Sequence, residues 1–131
     1  MPAPVEVVSH EGLRLERFAG GAVVIRIDER PKTSWYEVGE PVCDRAVTEA
    51  PGRAVIAVDV HSITDFEPGF RDRWAKWFAK NRHGVARVVV WYNGSILIKL
   101  GITAVNIAFG GRIEAATTRA GFDEAVKRVT G

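Results

Sequence analysis

Two segments of this chain restrict its fold more than any other feature. Arg53-Ala-Val-Ile-Ala-Val-Asp-Val60 and Val85-Ala-Arg-Val-Val-Val-Trp-Tyr92 are near-continuous apolar runs rich in β-branched residues. A strand with one wet face alternates apolar and polar positions, whereas a run apolar in both registers belongs to a strand covered on both faces. Between the two runs, Phe70, Trp74, Trp77 and Phe78 recur at i, i+4, i+7 and i+8 and form one helical stripe. Pro68 stands at the first turn of that helix and His83-Gly84 closes it. Strand, helix, strand in that order implies a crossover connection and a parallel sheet clothed by helices.

The remaining segments extend this α/β reading. Val5 to Val8, Leu13 to Phe18 and Ala22 to Ile27 are candidate strands, with Gly20-Gly21 as a turn, so an early hairpin makes the sheet mixed. Residues 1–20 either add to the sheet as an extra strand or trail from it as an arm. Ser34-Trp-Tyr-Glu37 fits a capping box and opens a helix to about Glu49, which Gly39 and Pro41 should bend or split before Pro51-Gly52 ends it. Asn93-Gly94 turns the chain, Ser95 caps a helix from 96 to 109, and Gly110-Gly111 stops it. Arg112 to Thr118 and Gly121 to Val129 supply a last strand and a last helix. The expected fold is α/β, with a mixed, mostly parallel β-sheet and covering helices, in one domain spanning 1–131.

Bulk properties remove several classes of function. A chain of 131 residues with 47% apolar and 26% charged residues supports one globular core. The formal charge of +2, from 18 basic and 16 acidic residues, provides no basic face for nucleic acid. Cys43 is the only cysteine, so no internal disulfide forms and a reducing, cytoplasmic setting is expected. The start Met1-Pro-Ala-Pro-Val-Glu lacks the basic and apolar regions of a signal peptide. The apolar stretch from Ile96 to Phe109 falls short of the roughly 20 residues that span a bilayer.

Catalytic patterns are weak. Asp59, His61, Ser62, Asp65 and Glu67 gather after a buried strand, at the edge where open α/β sheets place ligands. Their carboxylates could hold Mg²⁺, but a helix cap from Asp65 or Thr64 and solvation of the rest is the simpler reading, so no metal and no cofactor are expected. His61 and Ser62 are adjacent on extended chain and point apart, which defeats a nucleophile–base pair. Cys43 sits mid-helix as a small packed side chain, and no glycine cluster forms a phosphate cradle. Arg71, Arg73, Lys76, Lys80 and Arg82 read as an ordinary wet helix face. No catalytic residue is assigned, and the chain is expected to act by binding.

The helix from Ser95 to Phe109 is the oddity. Ile96, Leu97, Ile98, Leu100, Ile102, Ala104, Val105, Ile107, Ala108 and Phe109 cover most of its circumference, leaving a strip of Lys99, Thr103 and Asn106. A helix on one side of a sheet needs only about 100° of apolar surface. The excess must meet another element such as the last helix, a second subunit, a partner protein or an apolar ligand.

The stretch Val55-Ile-Ala-Val-Asp-Val-His-Ser-Ile-Thr-Asp-Phe-Glu-Pro-Gly69, with Val88-Val-Val-Trp-Tyr-Asn-Gly-Ser95 and Ile113-Glu-Ala-Ala-Thr-Thr-Arg119, resembles the STAS superfamily and its SpoIIAA-like branch over residues 20–130. The resemblance implies a regulatory or scaffolding module acting through protein contacts as a homodimer or with another protein. Where phosphorylation-switched members carry an acidic residue and a serine, this chain has Glu67 and Pro68, so that switch is missing at this position. Ser62 and Thr64 lie nearby with nothing to mark them as substrates. Contacts are expected at Phe66, Glu67 and Gly69 and on a face bearing Ile98, Ile102 and Phe109. The alternative implied is a small carrier of a lipid or other apolar ligand, with Trp74, Trp77 and Trp91 (and Trp35) around the pocket.

Overall fold

The structure, a computed structural model, describes residues 2–130. Six strands form one sheet in the order of the chain: β1 (Glu6–His10), β2 (Leu13–Phe18), β3 (Ala22–Ile27), β4 (Ala54–Asp59), β5 (Val85–Trp91) and β6 (Ile113–Ala116). The first three are an antiparallel meander, and β3 through β6 are parallel. Residues 6–18 therefore add two strands to the sheet. Gly20 and Gly21 turn β2 into β3 at φ of 93° and 89°, a left-handed conformation that a side chain would strain.

Helices α1 (Tyr36–Glu49), α2 (Pro68–Lys80) and α3 (Ile96–Ala108) fill the three crossovers, and α4 (Arg119–Thr130) follows β6. Successive crossovers of one hand deliver their helices to one face. That face holds the larger core, where Val23, Ile25, Ile56, Val88 and Val90 of the sheet meet Val42, Cys43, Trp74, Phe78 and Ile98. The opposite face is covered by α4 alone, through a smaller core of Phe122 and Ala125 over Val24, Ala57 and Val89. Both faces of β4 and β5 are thus covered, as their unbroken apolar runs require.

Two local expectations are corrected. Ser34 caps nothing: Thr33–Trp35 form a 3₁₀ turn that runs straight into α1, so the first turn of α1 is entered from chain that is already helical. Its intended partner Glu37 is instead held by Arg73 of α2 at 2.9 Å. Helix α1 is also one unbroken element despite Pro41. Gly39 serves close packing, since a Cβ there would lie 2.8 Å from the Trp74 ring.

Helix α3 starts as read, with the Ser95 hydroxyl accepting from the Ile98 N–H. Its end is different from the outward face expected. Phe109 is fully buried, edge-on to Phe78 at 5.5 Å, with the Arg112 guanidinium 4.2 Å above its ring. The last helix gives α3 no cover, because α4 packs on the other side of the sheet.

Candidate functional site

Helix α3 separates two apolar surfaces. Inward, Ile98 and Gly101 are buried, and Ile102 and Val105 pack against the larger core. Outward, Ile96, Leu100 and Ile107 are 75%, 60% and 75% exposed, with Leu97 beside them at 46%. Ile98 and Phe109 therefore cannot belong to the outer face; the side chains that carry it are Ile96, Leu97, Leu100 and Ile107. Helical arithmetic finds Ile96, Leu100 and Ile107, which stand within one narrow sector opposite 98, 105 and 109, with Leu97 at its flank.

Beneath α3, between it, α2 and the sheet, lies an apolar cavity of about 130 Å³. Leu15, Ile25, Val58, Trp74, Ile102 and Val105 line it, and no polar atom reaches its wall. Of the tryptophans, Trp35 and Trp74 line the cavity, whereas Trp77 and Trp91 do not. Trp77 donates its indole N–H to Asp44 at 2.8 Å and ties α2 to α1. Trp91 stands on the opposite face of the sheet, 5.7 Å from Phe122.

The loop between β4 and α2 is turned to internal use. Phe66 is buried, with its ring against Gly101 and the Arg71 guanidinium 5.8 Å above it. Glu67 accepts the Thr33 N–H at 2.7 Å, a bond that holds its carboxyl below the usual range. Gly69 lies so close to Thr33 that a Cβ would meet its hydroxyl at 2.6 Å. Together Glu67 and Gly69 fasten the segment before α1 to the start of α2. Asp65 is drawn to Arg30 at 2.7 Å, which lowers its carboxyl most, and its other oxygen accepts the Phe66 N–H. The helix cap expected from Asp65 or Thr64 is not formed, since the cap position is Glu67 and no side chain bonds there.

A polar group on the α4 face was not foreseen as a unit. Asp59, only 7% exposed, is the one buried charged residue among those described. Its carboxylate accepts Arg26 at 3.2 Å and the His61 N–H at 3.1 Å, and the His61 Nδ1 lies 2.5 Å away. The His61 ring stacks on Trp91 at 3.8 Å and 11°, and Asn93 donates to the carbonyls of His61 and Ile63. Strand register aligns Arg26, Asp59 and Trp91 side by side, and the i, i+2 spacing puts His61 on the same face as Asp59. A histidine so oriented has the posture of a general base. Among the described residues, however, no hydroxyl or thiol bonds to its ring, and burial pushes the Cys43 thiol upward and keeps it protonated.

No group of three or more His, Cys, Asp or Glu among the described residues is arranged to hold a metal ion. No described helix is long and apolar enough to cross a membrane. In comparisons with known proteins, no family model, no curated protein and no solved structure matches the chain.

Proposed function

We propose that this chain is a non-catalytic, STAS-like regulatory or scaffolding module that works by protein contact and pairs with a second copy of itself through the outer face of α3. The observation that carries the reading is the exposed seam of Ile96, Leu100 and Ile107, with Thr103 between them. Their spacing of i, i+4, i+7 and i+11 is that of a helix packing along another helix. Lys99 is the only charged residue of α3, and the Thr103 hydroxyl already donates to the Lys99 carbonyl at 2.8 Å. The seam can thus be buried without stranding a hydroxyl, and an uncharged stripe is complementary to itself about a two-fold axis. One helix of this length gives about 20 Å of contact, at the small end for a specific dimer, so association depends on concentration.

Sedimentation velocity over a range of protein concentrations tests this. Wild-type protein should shift from monomer to dimer, and Leu100→Asp and Ile107→Asp should remain monomeric while keeping native circular dichroism. A wild-type chain that is monomeric throughout, or variants that still dimerise, would overturn the reading.

A further inference from the structure

We propose that the cavity under α3 binds a small neutral apolar molecule, no larger than one aromatic ring or a short alkyl chain. Its size supports this: an apolar cavity of about 150 Å³ stays dry and takes up benzene, and this one measures about 130 Å³.

The wall supports the class of ligand. It presents no polar atom, and the polar groups nearest to it are engaged elsewhere. The Trp35 indole N–H donates to Glu11 at 2.9 Å, and the Arg71 guanidinium is paired with Asp72 at 2.9 Å. A water molecule inside would find no partner on the wall, and a charged group would lose solvent there without compensation from the protein. Val58, on a strand flanked by β3 and β5, nevertheless keeps accessible surface, so the space reaches the centre of the sheet.

The packing explains why the space stays open. Phe66 is wedged under Gly101 of α3, and the Trp74 ring lies against Gly39 of α1, each within 2.8 Å of where a Cβ would stand. The first contact braces α3 against the loop after β4, and the second braces α2 against α1. The lining atoms lack neighbours across the gap, and an apolar guest restores those dispersion contacts.

Toluene is the probe. Titration into wild-type protein should raise the thermal midpoint and alter the emission of Trp35 and Trp74, and Val58→Phe, which places a ring in the cavity, should bind it at least roughly tenfold more weakly. Wild-type protein indifferent to toluene, or a folded Val58→Phe that binds as well, would overturn the proposal. Should Val58→Phe fail to fold, crystals of wild-type protein under xenon pressure decide: xenon in the cavity upholds it, and an empty cavity refutes it.

Discussion

Phe66 and Gly101 touch ring edge to backbone: a methyl group on Gly101 would come within 2.8 Å of the Phe66 ring. The first residue lies near the end of the loop after β4 and the second in the middle of α3, so the contact seats the helix directly on that loop. Gly101→Ala gains about 1 kcal/mol in helix propensity, but overpacking against a buried ring costs about 1–3 kcal/mol. The expected result is a net loss of stability in urea unfolding, and recovery in the double variant with Phe66→Leu.

The two sides of α3 should respond oppositely to charge. Leu100→Asp, on the outer side, should change monomer stability by no more than about 0.5 kcal/mol. Ile98→Asp and Phe109→Asp bury an unpaired carboxylate and should cost more than about 4 kcal/mol, leaving the chain largely unfolded. Thermal melts of the three variants check this contrast.

His61→Ala removes both the stack on Trp91 and one partner of Asp59. Loss of an aromatic pair of this kind amounts to about 0.5–1.5 kcal/mol. Near-ultraviolet circular dichroism and urea unfolding should show a changed Trp91 environment with that modest loss, and secondary structure should be retained.

Acid should loosen the first strand. Glu6 of β1 binds Arg45 of α1 and Arg17 of β2, and chiefly the Arg45 bond lowers its carboxyl below the ordinary 4.5. A carboxyl lowered by folding stabilises the native state above its ordinary value, and that contribution is lost as pH falls through the lowered one. Stability should therefore decline below about pH 4.5, and Glu6→Gln should be less stable at neutral pH with a shallower acid decline. Amide exchange in residues 6–10, followed against pH, reads the effect locally.

Much of the fold was legible because several elements announce themselves by local chemistry. The β-branched runs of β4 and β5, the proline that opens α2 and the serine that caps α3 each act through their immediate neighbours. The capping box at Ser34 misled because a 3₁₀ turn supplied the helix start before a cap was needed, and Glu37 found Arg73. The reading of the last helix as cover for α3 failed because α4 lies across the sheet, which no local pattern encodes. At the site, the excess apolar surface of α3 was legible, but its inward members were mistaken for outward ones. Asp59 and His61 are near neighbours in sequence, but Arg26 and Trp91 join them only through strand register, and the cavity is bounded by α2, α3 and the sheet together. Both are properties of the assembled chain.

The strand order carries a consequence for how the molecule is made. Every strand lies beside its neighbour in sequence, from β1 at one edge to β6 at the other. No strand enters between two that are already paired, so the growing front is always the free edge. The sheet can be laid down in the direction of synthesis, one strand at a time, without reopening a hydrogen-bonded pair to admit a later arrival.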